Sequence, residues 1–259
     1  MCRTLSDGQG FALHWVGLRI GIVVAALVAA SRLAAAGPPY ATDDPEPTNY
    51  KHYEIYLFGG GTDTREEVAG AAGVDFNYGA APDLQLTAVV PVEFSRPVGG
   101  PTAIDLGRIE LAAKYRLRHQ QETGWDVAVF PRVILRENSA DDGEHHASLL
   151  LPVWVGKDWS GWSTFGGGGC ELNRGGDSRD FCLVGWALSR EVNRKLAIGA
   201  ELTHETADTR GGQATTGLGA GFRYALSEHV DLLGSAGPGI QNASETNRST
   251  WYLALLLTY

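Results

Sequence analysis

The residues best placed to do chemistry in this sequence are ionisable groups that recur at intervals of two. Counting by twos from their apolar neighbours puts Glu54, Asp75, Glu93, Arg108, Glu110 and Lys114 on one kind of face. Arg116, Asp126, Arg132, Glu201 and Arg223 fall on the same kind of face. Strand side chains alternate between two sides, so such a set lines one side of a sheet. On the inner wall of a closed sheet, opposite charges fill the lumen by pairing across strands, or they set selectivity for a permeating solute. Phe130, Trp154 and Trp186 count onto the same inner face, suited either to contact with an aromatic solute or to ordinary packing.

Other constellations carry less. Asp141, Asp142, Glu144, His145 and His146 share a loop, but their spacing matches no calcium-binding loop and adjacent histidines point apart. His204-Glu205 begins like a zinc-protease motif, yet Asp208 stands where the second histidine belongs. The run Gly166–Gly169 is not followed by Lys-Ser/Thr, so it is no phosphate loop. A barrel-embedded lipid-modifying enzyme would need a constrained Ser/His pair. Ser148, His146 and His204 show no such spacing. The expectation is a protein that is not an enzyme, with no cofactor and no metal.

Two cysteines invite a covalent reading. Eleven residues separate Cys170 from Cys182, symmetrically about Gly176. A hairpin centred there sets them opposite each other, and cross-strand Cβ atoms about 4.5–5.5 Å apart are within small adjustment of a disulfide. A one-residue bulge would instead leave two free thiols on opposite faces.

The elements that position these residues follow from composition and periodicity. The chain has 259 residues, of which 34 are glycine, about 13%, against about 7% in ordinary chains. Glycine at that level disfavours long helices. The formal net charge of −9 argues against nucleic acid as a partner. Arg3 and Arg19 precede the apolar run Ile20 to Ala30, and Ala34-Ala35-Ala36 offers a small-residue cleavage site. Residues 1–36 therefore read as a secretory signal peptide. Export favours an oxidising compartment.

Beyond residue 50, alternation dominates. Ile109, Leu111, Ala113, Tyr115 and Leu117 face one way; Glu110, Lys114 and Arg116 face the other. Leu84, Leu86, Ala88, Val90, Val92 and Phe94 oppose Gln85, Thr87 and Glu93. Trp251, Leu253, Leu255, Leu257 and Tyr259 form the last apolar face. Twelve such segments span about 51–61, 68–79, 83–94, 105–118, 124–135, 146–158, 162–171, 180–190, 195–206, 214–225, 229–237 and 248–259. Short connections alternate with longer polar ones. An even count with that asymmetry describes an outer-membrane barrel. Tyr53, Tyr78, Tyr115, Trp125, Trp159, Trp162, Tyr224 and Tyr259 cluster near the short turns, where an interfacial girdle belongs.

Several stretches also carry a family likeness. Thr42-Asp43-Asp44-Pro45-Glu46, His52-Tyr53-Glu54-Ile55, Asp75-Phe76-Asn77-Tyr78-Gly79 and Leu149-Leu150-Leu151-Pro152-Val153-Trp154 are among them. Gly166–Gly169, Glu201-Leu202-Thr203-His204-Glu205-Thr206-Ala207-Asp208 and Leu226-Ser227-Glu228-His229 extend it across most of 42–259. Together they resemble the meta-pathway of phenol degradation family, grouped with outer-membrane β-barrels and often labelled transporters. The resemblance implies uptake of small aromatic or hydrophobic compounds; the residues themselves carry no signature of phenol.

The expected protein is all-β: a monomeric, twelve-stranded, antiparallel up-and-down transmembrane β-barrel of outer-membrane type. Residues 1–36 are the leader, 37–50 an N-terminal periplasmic segment or plug, and 51–259 the barrel. Its location is the bacterial outer membrane, with both termini periplasmic. Its partners are outer-membrane lipid, a small-molecule solute, and the assembly machinery reading the C-terminal strand that ends at Tyr259. The expected function is passive transport of small solutes. The alternatives are a structural barrel without transport and, less favoured, a lipid-modifying enzyme.

Overall fold

The computed structural model describes residues 39–136, 146–173 and 178–259; the expected leader lies outside them. Fifteen strands follow in order: β1 (Tyr53–Asp63), β2 (Glu67–Ala81), β3 (Leu84–Pro97), β4 (Ala103–Leu106), β5 (Ile109–Arg118), β6 (Asp126–Val129), β7 (Arg132–Arg136) and β8 (His146–Trp159). Then come β9 (Trp162–Leu172), β10 (Phe181–Asn193), β11 (Leu196–Glu205), β12 (Thr215–Ala225), β13 (Val230–Gly237), β14 (Gly239–Gln241) and β15 (Ser249–Thr258). One antiparallel sheet contains them all. It closes on itself where β1 pairs β15, from Glu54 opposite Thr258 to Asp63 opposite Ser249. Among the described residues no helix is long and apolar enough to cross a membrane.

The fifteen strands make twelve staves, because three staves are interrupted. β4 and β5 both pair β3 and form one stave, broken at Gly107-Arg108. A Cβ at position 107 would lie 2.6 Å from the Glu93 side chain, so only glycine lets the chain bend there. β6 and β7 both pair β5 and β8. Pro131 separates them, having no N–H for the ladder. β13 and β14 are parted by Pro238 in the same way. Periodicity counts the staves but does not show these breaks.

The two-residue period sorts the wall. Leu57, Val90, Leu111 and Leu255 are exposed on the outer face, while Tyr56, Ala128, Leu233 and Leu256 are buried inside. Burying every strand edge in a closed ring satisfies the backbone polar groups, which a lipid environment cannot do. Short turns join staves at one end. Ser160-Gly161, both at positive φ, form a tight hairpin there. Tyr53 and Tyr259 exchange backbone hydrogen bonds at 2.7 and 3.0 Å, so the barrel's two chain ends meet at that same end. Outward aromatics stand near it with cationic partners: Lys157 over Trp125 and Arg190 over Trp162.

Candidate functional site

The lumen is occupied by the segment 39–50, which precedes β1 and runs inside the wall. Its fit begins with small, polar and proline residues that form neither helix nor strand. Thr42 is 1% exposed, and Asp44 and Thr48 are also buried. Glu201 of β11 accepts from the Ala41 and Thr42 backbone N–H groups at 3.2 and 3.1 Å and from the Thr42 hydroxyl at 3.0 Å. Lower down, Gln85 Oε1 of β3 accepts from the Thr48 N–H at 2.7 Å and its hydroxyl at 3.1 Å. Gln85 Nε2 in turn donates to Asn77 and Thr87.

Between these anchors sits Asp43. Lys114 Nζ donates to its Oδ1 at 2.9 Å and Arg132 Nη2 to its Oδ2 at 2.9 Å. Lys114 also lies 3.6 Å from Asp44, and Arg132 lies 3.5 Å from Glu110. The Phe130 ring backs both cations, with Lys114 Nζ 4.9 Å and Arg132 Cζ 4.3 Å from its centre. One ring thus holds two cations of neighbouring staves toward a single carboxylate of the segment. Burial raises the Asp44 carboxyl to about 6, against the pull of Lys114. Burial and then Asp44 raise Glu46 to about 7. Burial and then Glu201 raise the Tyr40 hydroxyl to about 12.

Two cavities flank this arrangement. The wider, about 1340 Å³, lies toward the longer loops and is lined by Phe58, Glu93, Arg108, Trp154, Glu201 and Tyr252, among others. The narrower, about 190 Å³, is lined by Glu54, Asp75, Glu110, Lys114, Phe130 and Arg132, among others. Tyr40, Ala41 and Tyr252 line both and so form the neck between them. Glycines make room for the segment: a Cβ at Gly185 would sit 2.1 Å from the Thr42 hydroxyl oxygen.

The structure places Glu54, Asp75, Glu93, Arg108, Glu110, Lys114, Arg132 and Glu201 on the lining of one cavity or the other. Asp126, Arg116 and Arg223 also face inward, but as wall braces. Arg116 joins Asp83 of the β2–β3 turn at 3.0 Å and lies 3.7 Å from Asp126. Arg223 bonds Asp231 of the next stave at 2.6 Å. Phe130 and Trp154 are buried on the inner side.

Trp186 is a correction. It is 45% exposed on the outer face, between Val184 and Leu188. Its indole N–H donates to Thr164 at 2.9 Å. Gly185 and Ala187 hold the inner positions because the segment packs against β10 there and leaves no space for an indole. Cys170 and Cys182 stand opposite each other on β9 and β10 and are joined by a disulfide, on the outer face. Of the loop group weighed for a cation, 141–145 lies outside the described residues. Among the described residues no cluster suits a metal ion.

Period-two counting puts Gln85 and Thr87 on the inward face but does not show what they do there. Gln85 holds the segment at Thr48 and is itself braced by Thr87 and by Asn77, a neutral group on the face of Asp75. Asp231 is readable only as the cross-strand partner of Arg223.

A closed twelve-stranded antiparallel barrel with a polar lumen defines an outer-membrane type of fold. An outer membrane channel from Pseudomonas putida F1 is similar to this chain, with a TM-score of 0.68, 11% identity, and 83% of this chain and 98% of that one covered. The NanC porin is similar at 0.54 and 10% identity, over 79% of this chain and 99% of its own. The β-domain of the Bordetella autotransporter BrkA reaches 0.50 at 12% identity, over 81% of this chain and 99% of its own. No protein-family model matches the chain, and no curated protein is similar to it in sequence.

Proposed function

We propose that the protein is a passive outer-membrane channel for small solutes, with segment 39–50 as its internal constriction. The observation that carries this reading is the pair of cavities, about 1340 and 190 Å³, meeting at the neck of Tyr40, Ala41 and Tyr252 inside a closed wall. A solid, structural barrel has no use for a wide, polar inner space. Similarity in fold to an outer membrane channel and to a porin supports the same reading. Transport down a gradient calls for no catalytic step and no cofactor.

The exposed aliphatic band meets outer-membrane lipid, and the strand ending at Tyr259 is the natural signal for the assembly machinery. The leader 1–36 is removed on export, and the chain works as a monomer. Aromatic or hydrophobic solutes, implied by the resemblance to the phenol-degradation family, would find Phe58 and Tyr252 on the wall of the wider cavity. The Phe130 ring offers them less, since two cations already face it.

Conductance of the purified, refolded protein in planar bilayers tests the proposal. Small stepwise currents are expected. A protein that folds and inserts but passes no current would support a structural barrel, or one embedded with an enzyme activity, in place of a channel.

A further inference from the structure

We infer that the lumen passes cations in preference to anions, an inference that rests on the channel reading above. It concerns the field along the whole path, not a binding site. In the narrower cavity the lining carboxylates are Asp43, Glu46, Glu54, Asp75 and Glu110, against two cations, Lys114 and Arg132. In the wider cavity they are Glu93, Asp105, Glu201, Glu205 and Asp208, against Arg108. Among the described residues, carboxylates therefore outnumber cations on both sides of the neck.

The cations are also the better neutralised partners. Lys114 is shared by Asp43 and Asp44, and Arg132 by Asp43 and Glu110. Arg108 lies 3.8 Å from Glu93. By contrast, Glu54 accepts from the Tyr56 hydroxyl at 3.3 Å and Asp75 from the Asn77 amide at 2.9 Å, both neutral donors. An anion entering the narrower cavity meets cations each shared by two carboxylates, and two further carboxylates, Glu54 and Asp75, whose hydrogen bonds come from neutral donors. For a cation the attractions and repulsions are reversed. Low-dielectric walls focus such a field and raise the local counter-ion concentration, and carboxylate linings are the common device of cation-selective pores.

The experiment is the reversal potential of the full mature chain in planar bilayers under a potassium chloride gradient at pH 8. Wild type is compared with the double variant Glu54→Gln, Asp75→Asn, and both are checked for folding by heat-modifiable migration. At low salt, potassium is expected to permeate about tenfold more readily than chloride, the low end of electrostatic focusing. Near 1 M salt, where the screening length is about 3 Å, the preference should shrink toward none. The double variant should lower the low-salt ratio. Currents with equal permeabilities, or with chloride favoured, overturn the inference and leave the channel reading standing. An unchanged ratio in the double variant overturns the role given to the narrower cavity. A folded, inserted protein without current overturns the channel reading and this inference with it.

Discussion

Replacing Asp43 by alanine removes the acceptor of two cations in one step. Lys114 and Arg132 each donate to it at 2.9 Å. The Lys114 side chain is 4% exposed and that of Asp43 18%, so solvent replaces little of what is lost. Breaking a buried pair by deleting one partner costs about 3–5 kcal/mol. Lys114 keeps Asp44 at 3.6 Å and Arg132 keeps Glu110 at 3.5 Å, so the lower figure, about 3 kcal/mol, applies. At about 1.4 kcal/mol per tenfold, the docked segment loses a factor of about 100 in its equilibrium. The Glu201 and Gln85 anchors remain, and the barrel wall keeps its own ladders. A reporter Pro47→Cys, at a buried position of the segment, reads this directly in vesicles. Its labelling by a thiol reagent should accelerate about 100-fold in the Asp43→Ala background, and single-channel conductance should rise in parallel. Labelling and conductance both unchanged would refute the claim that Asp43 holds the segment in the lumen.

Other outcomes follow from the same geometry. Leu111→Arg, on the outer face, should lower unfolding stability in lipid by about 2–4 kcal/mol; Ala112→Arg, which faces the narrower cavity, should cost much less, and equal losses would sink the inside-outside assignment. Asp44 and Glu46 have carboxyls raised to about 6 and about 7, so docking takes up protons and is strongest below those values. It weakens as pH rises through them, and Pro47→Cys labelling should therefore be slower in mildly acidic than in alkaline buffer; the opposite trend would refute the assigned burial. Alkylation without reductant should add no carbamidomethyl group at Cys170 or Cys182 by mass spectrometry. Removing that bridge should cost at most about 3 kcal/mol, given the short loop.

How much of this was readable before any coordinates depends on which interaction each feature rests on. The staves and the inward charges follow from local period-two alternation, a property of the backbone alone. Arg223 and Glu201 are therefore placed by counting. The breaks at Gly107 and Pro131 concern register between staves and are invisible to a count along one stave. Trp186 shows the limit most sharply. Its strand reads Val184-Gly185-Trp186-Ala187-Leu188, apolar or small on both faces, so alternation offers no contrast between inside and outside. What settles its side is Thr42, which packs on Gly185 from more than 140 positions away. The segment itself was legible as proline- and aspartate-rich. Its docking was not, because Lys114 and Arg132 lie 71 and 89 positions from Asp43 and only the three-dimensional barrel brings them to it.

The segment's covalent continuity with β1 sets its reset behaviour. Residues Asn49 to His52 join the docked stretch to the first stave at the short-turn end, where Lys51 N–H bonds to Gly79 and His52 N–H to Asn49. A blocker on so short a leash cannot be diluted away. Once displaced, it faces its own binding groove at an effective concentration on the order of millimolar, whatever the protein's abundance. Recapture is thus first order, insensitive to expression level and without need of a second molecule. On the channel reading, the time the strap stays out of its groove is set by its own first-order return.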